Sequence, residues 1–436
     1  MDSKKSTIPF VLLVVVVLFS LFFPGLPVEG DNTFDSADLA WMLTSTALVL
    51  IMTPGLAFFY GGMVKKKNVI STMLQSFICM AVVAVIWVVF GFSLVFGESI
   101  GGIIGNPSTY FMFNGVIGGP NWPGAPTIPF ALFAMYQLKF AIITPALITG
   151  AFAERIRFTS YVLFLCLFFV FIYAPLAHAT WHPDGILAGM GVLDFAGGTV
   201  VHMSAGVTAL ASALYLKQGT SNGGHDPARI SYVILGTGFL WFGWFGFNAG
   251  SAFGANELAA TALATTSTAS GAAALAWIFF DAARGKKPTA MGACIGVVVG
   301  LVAITPAAGF VTVPHSLVIG VVASIISRLV VEWRTHSRVD DTLDVFPSHG
   351  VGGMVGMILT GVFATKTINE AVATDGLYFG ETGLFTAHLI GLIGAVIFTF
   401  IMAFIILKVT DSITKLRVSV EEEEVGLDIS QHGEKL

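Results

Sequence analysis

The chain has 436 residues, of which 55% are hydrophobic and 11% charged, and its mean hydropathy is +0.85. Soluble proteins average about 25% charged residues, which excludes a single soluble domain of this size. A formal net charge of -5 with no basic stripe sets nucleic-acid binding aside.

In chain order, the first 30 residues read as a secretory signal: Lys4 and Lys5, an apolar run from Ile8 to Phe23, then Pro24, Pro27 and a small residue at Gly30. Cleavage there would leave Asp31 as the mature N-terminus, outside the cell; a retained helix would leave the topology downstream unchanged. Eleven apolar spans follow, roughly 39–60, 69–97, 127–153, 159–179, 190–215, 230–251, 258–280, 289–309, 316–332, 346–364 and 383–408. Each is near the length of about 20 residues that crosses a hydrocarbon core. Lys and Arg gather on the cytoplasmic side of short loops, and 17 of the 21 basic residues fall on alternate loops or on the tail.

The expected fold is an all-α polytopic membrane protein of eleven helices, N-terminus outside and C-terminus inside. Its membrane domain covers 31–410 and a cytoplasmic tail covers 411–436. An odd number of spans per half permits an inverted 5+5 repeat plus an eleventh helix, which sets a substrate path between the halves. The 49 glycines suit helices that pack closely in lipid.

Ionisable residues inside a span need a reason to be there. His202 follows Asp194 by eight residues and His349 follows Asp344 by five, which puts both imidazoles inside the bilayer at equivalent points of the two halves. Two neutral imidazoles share one hydrogen bond without carrying net charge, so such a pair could pass a proton or contact a small neutral molecule. Asp194 opens the fifth span and reads as a structural carboxylate at a helix N-terminus, and Asp344 reads the same way in the tenth. Trp244, Phe247 and Ser251 fall at i, i+3 and i+7 on one helix face, an aromatic surface ending in a hydroxyl that suits a small cation. Cys79, Cys166 and Cys294 lie in apolar blocks and read as core residues. An enzyme built on the histidines would need a carboxylate or nucleophile beside both, and neither Asp is spaced to reach them; no enzymatic activity is expected.

Five segments carry a family resemblance: Pro54 to Gly62, Gly150 to Arg157, Asp194 to His202, Trp244 to Ser251 and Phe346 to Gly353. Together they resemble the ammonium transporter (Amt/Mep/Rh) family, of bacterial or archaeal Amt type, from about Phe34 to His432. The resemblance implies a homotrimer in the cell inner membrane, with one narrow apolar pore per subunit, serving nitrogen uptake without a cofactor. It implies that Phe140, Trp181 and Ser251 recruit ammonium outside, that Phe140 and Phe247 form a gate, that His202 and His349 form a pore proton relay, and that Asp194 is a structural acid. Ammonium would lose its proton and pass as ammonia, so potassium, with no proton to give, would be excluded.

Two positions depart from the family pattern. Tyr136 stands where Phe is usual, and Lys139 where a small residue is usual. A pore-facing Lys139 would repel ammonium and point to a sensor with little conduction. Rotated about 100° from Phe140, it would instead snorkel outward or pair with an acid at the trimer contact. The tail, Glu421 to Glu424 followed by Val425 to His432, is similar to the family's cytoplasmic regulatory segment and implies a P-II signalling protein as partner. Without that resemblance the four glutamates read as a solvated run.

Overall fold

A computed structural model describes residues 3–28, 33–219 and 227–436. Among these, ten helices are long and apolar enough to cross a membrane: Ser36–Met63, Lys66–Phe96, Phe130–Ala151, Phe158–Gly189, Gly198–Leu216, Ile230–Ala252, Glu257–Ala283, Val313–Thr335, Phe346–Phe363 and Gly383–Ile413. They coincide with ten of the eleven expected spans. The remaining one, expected at 289–309, is an apolar helix of 15 residues, Ala290–Ile304. The chain is a multi-pass membrane protein. The apolar run near the start forms the helix Ser3–Ser20, while Gly30 and Asp31, the expected cleavage point, lie outside the described residues.

The helices pack around one large apolar core, with a small separate cluster at Phe310, Ala364, Val372 and Leu384. Their outer faces are as apolar as their inner ones, because lipid rather than water is the solvent there. Along Gly383–Ile413, Ile390, Ile393, Ile397, Ile401 and Ile405 are all exposed at helical spacing, a lipid-facing stripe rather than an aggregation patch.

The two histidine-bearing helices both begin with a π turn, Gly198–Met203 and Phe346–Val351. They cross where two glycines meet: a Cβ on Gly206 would collide with the backbone of Gly350. Only glycine lets the main chains touch there, one turn beyond His202 and one residue beyond His349.

Below the bundle, the tail folds back on its own subunit. The Arg157 N–H donates to the Leu416 carbonyl (2.8 Å) and the Val418 N–H to the Arg155 carbonyl (3.0 Å). Ser419 and Glu422 form a capping box at the start of the short helix Val420–Val425. Two of the four glutamate side chains are engaged, and Glu421 and Glu424 remain exposed. Glu422 pairs with Arg157 at 3.0 Å and Glu423 with Arg417 at 2.7 Å, and Lys67 donates to the carbonyls of Glu423 and Glu424. Asp428 accepts the backbone N–H groups of Ile70 and Ser71 at 3.1 and 2.8 Å, capping the second span at its N-terminal end. Asp428→Ala should free the tail, seen as faster tryptic cleavage at Lys415 and Arg417; unchanged cleavage would show that the other contacts suffice.

Candidate functional site

The outer end of Phe130–Ala151 turns Phe133, Gln137 and Phe140 onto one face, since positions 3, 4 and 7 apart share a side of a helix. With Trp181, Ser251, Trp122 and Phe253 they line a cavity of about 150 Å³. The three residues expected to recruit a cation thus meet in one cavity. Trp181 is held in place by its indole N–H, which donates to the Asp194 carbonyl at 3.1 Å, and its ring lies edge-on to Phe140, 5.8 Å between centroids. The floor is the ring pair Phe140 and Phe247, whose centroids are 4.3 Å apart. The two rings expected to form a gate are thus in contact.

Beyond the rings lies a second cavity, lined by apolar side chains such as Leu56, Ile143 and Val298 and by His202 and His349. The imidazoles approach Nδ1 to Nδ1 at 3.3 Å, with ring planes 25° apart. One Nδ1 must carry the hydrogen and the other accept it, so the pair shares a single proton on that edge. His202 also stacks on Trp244, whose indole N–H donates to the Thr305 hydroxyl at 2.9 Å. The outer edge of His202, Nε2, is buried and has no hydrogen-bond partner among the described residues. Trp244, Phe247 and Ser251 do share a helix face, but that face runs past both cavities: Ser251 lines the outer one, Phe247 the floor and Trp244 the inner one.

Asp194, expected to be a structural acid, sits at the N-terminal end of the helix that carries His202. Its two carboxylate oxygens accept four consecutive backbone N–H groups, from Gly197, Gly198, Thr199 and Val200, at 2.8, 2.6, 2.8 and 3.3 Å. These are the donors a helix N-terminus leaves unsatisfied. Asp344 does not play the matching part. The cap of the tenth span is Asp341, which accepts the Phe346 N–H at 2.6 Å. The signal was in the sequence: Asp341 precedes His349 by eight residues, as Asp194 precedes His202. Asp344 instead has φ +57° and pairs with Arg334.

The two departures from the family pattern resolve differently. The Tyr136 hydroxyl donates toward the Gly246 and Phe247 carbonyls, both at 2.9 Å, and lies 3.2 Å from the Ser251 hydroxyl. Its added oxygen is thus absorbed by main chain next to the outer cavity. Lys139 is 9% exposed, lines neither cavity, and makes no hydrogen bond or ion pair among the described residues. It sits one turn from Met135, the exposed residue of that helix, so it lies on the side of the helix turned away from both cavities.

Two residues went unnoticed in the sequence. Gln137 lines the outer cavity while its amide oxygen is buried with no partner; its position one turn before Phe140's neighbour Ala141 gave a hint through spacing alone. His388 donates from Nδ1 to the Met357 carbonyl (2.8 Å) and accepts the Leu193 N–H on Nε2 (3.0 Å). It braces the turn that carries Asp194 against the last membrane helix, a long-range contact with no local signature.

Comparison with known proteins bears on all of this. An ammonium transporter from Aquifex aeolicus is 45% identical over 426 residues, covering 97% of both chains. The crystal structure of Saccharomyces cerevisiae Mep2 superposes with a TM-score of 0.84 at 36% identity, over 90% of this chain and 89% of that one. A solved Sensor Amt Protein superposes with a TM-score of 0.80 at 27% identity, over 91% of this chain and 98% of that one. Residues 40–436 match the Ammonium Transporter Family, and the chain belongs to that family.

Proposed function

We propose that the protein is an ammonium transporter that captures ammonium in the outer cavity, takes a proton from it and conducts ammonia through the apolar pore past the histidine pair. The observation that carries this reading is the succession of two cavities along one line: an aromatic one bearing a hydroxyl, then a ring floor, then an apolar one whose polar atoms are almost entirely those of two neutral imidazoles. Aromatic faces attract a cation as it loses water. An apolar passage rejects the ion that remains charged, because an unpaired charge in low dielectric is far costlier than a neutral molecule. Ammonium meets both demands by leaving its proton behind. Asp194 is the structural acid of this scheme, and Phe140 with Phe247 the gate.

The same reading extends to the expected architecture. Eleven spans in an inverted repeat, N-terminus outside, are supported by the matching offsets of Asp194 from His202 and of Asp341 from His349, each cap preceding its histidine by eight residues. We also infer a homotrimer in the cell inner membrane, a cleavable signal over residues 1–30, and a tail that answers to a P-II signalling protein. Support for the last comes from the tail lying against Lys67, Arg157 and Ser71 of the pore-bearing domain.

In proteoliposomes, ammonium should drive a current and methylammonium should accumulate. Trp181→Ala or Ser251→Ala should raise the half-saturating ammonium concentration severalfold, as expected when a cation–π contact or a charge-assisted hydrogen bond worth about 1–2 kcal/mol is lost. No flux from well-folded wild-type protein would sink the conduction claim.

A sensor of the same fold is the second reading, and Lys139 is the residue on which it turned. Its place away from both cavities favours transport. Lys139→Ser should leave flux close to that of wild type, since the side chain lines neither cavity. A tenfold rise would instead show that this lysine holds the pore shut.

A further inference from the structure

Once Asp341 is assigned as the cap, Asp344 has no structural task of that kind, and its surroundings point elsewhere. Its backbone is left-handed, φ +57°, a conformation that non-glycine residues seldom adopt and that Asp and Asn tolerate best. Strained backbone of this sort gathers at functional sites. Asp344 lines a third cavity, on the tail side of the pore, together with Ser348, His349, Tyr60 and Val298. Asp344 and Ser348 are four residues apart and His349 is the next, so the carboxylate, a hydroxyl and the inner imidazole border one space. The Ser348 hydroxyl makes no hydrogen bond among the described residues, and one carboxylate oxygen of Asp344, Oδ1, is engaged by Arg334.

We propose that Asp344 is the proton-exchange group of the tail-side mouth, taking the proton that leaves His349 and handing it to water or to the ammonia that emerges there. This rests on the conduction reading above. The proton balance is simple. One N–H bond of ammonium breaks as an N–H bond forms on Nε2 of His202, the Nδ1 hydrogen of His202 passes to Nδ1 of His349, and the Nε2–H bond of His349 breaks as an O–H bond forms on Asp344. That bond breaks when water or ammonia accepts the proton, so one positive charge crosses for each ammonium and nothing is oxidised or reduced.

The charged and titratable groups around Asp344 set where it exchanges. Burial pushes its carboxyl up to about 7; Arg334 and Arg328, from the neighbouring helix Val313–Thr335, hold it down, and Asp341 in its own loop adds to the rise. Tyr60 and His349 complete the lining. Below that value Asp344 is already protonated and accepts poorly; above it, Asp344 is ionised and donates poorly. A carboxyl poised near neutrality serves both half-steps, as general acid–base groups do.

Ammonium-driven currents from wild-type and variant protein in proteoliposomes, with tail-side pH varied from about 6 to 8, test the assignment. Asp344→Asn keeps the tolerance for left-handed backbone and an oxygen for Arg334, but it cannot carry a proton. Its current should fall about tenfold or more and lose its dependence on tail-side pH, while the half-saturating ammonium concentration stays unchanged. Arg334→Gln, which removes the cation but leaves the carboxyl, should move the midpoint of the pH profile upward by about one unit, and it decides the matter if the Asn variant does not fold. Currents from Asp344→Asn that match wild type in size and pH profile, or an unmoved midpoint in Arg334→Gln, would overturn the proposal. A wild-type protein that carries no current at all overturns the conduction reading instead.

Discussion

Asp194→Ala should unfold or inactivate the protein, and Asp194→Asn should damage it less. The carboxylate satisfies four buried N–H groups at the opening turn of a helix, and each buried donor left unpaired costs about 1–3 kcal/mol. The losses do not add fully, because the freed turn will partly re-form. A destabilisation of at least about 3 kcal/mol is expected nonetheless. The damage reaches function by two routes. The π turn beginning at Gly198 carries His202, so its melting moves the imidazole away from His349. The Asp194 carbonyl also accepts the Trp181 indole N–H, so the outer cavity loses a wall at the same stroke. Asparagine retains one acceptor oxygen and should keep part of the cap. Thermal unfolding in detergent, followed beside ammonium flux, checks this. If Asp194→Ala were as stable as wild type yet inactive, the carboxylate would be acting on the ion and not on the backbone.

The second large effect is expected at the histidines. Removing either imidazole breaks the single Nδ1 to Nδ1 contact, so His202→Ala and His349→Ala should each cut the ammonium-driven current by about tenfold or more. The double variant should be little worse than either single one. Residues that work as one unit show strongly non-additive losses. Reductions that multiply would mean that each ring contacts the permeating molecule by itself and that no proton is shared. The contact distance of 3.3 Å makes the shared unit the expected result.

Much of this was legible from residues alone. Nearly all of the membrane helices, both imidazoles, the ring pair and Asp194 follow from hydropathy, from spacing along one helix or from short segments that resemble a family. Legibility ended where a contact joins distant parts of the chain. Asp344 was read as a cap because it is the nearest acid to its helix, whereas the loop geometry gives that task to Asp341 three residues earlier. Gln137 hid among apolar neighbours, and His388 finds its partners 31 and 195 residues away. The glutamate run was read as wholly solvated because Arg157, which pairs with Glu422, lies 265 residues upstream. Lys139 could be turned away from the cavities only after Met135 was seen to be the exposed member of its helix.

The glycine crossing has a further consequence. Where Gly206 and Gly350 touch, main chain rests on main chain, with no side chain between them that could change rotamer. The crossing is in that sense a welded joint: it cannot be eased by small motions, and any larger residue at Gly206 would pry the two helices apart. If the protein conducts as proposed, opening and closing then fall to the ends, to the Phe140 and Phe247 rings on one side and the Asp344 mouth on the other. Such a passage would resemble a rigid barrel with a shutter at each end, and adjustment by the tail would act on the nearer one.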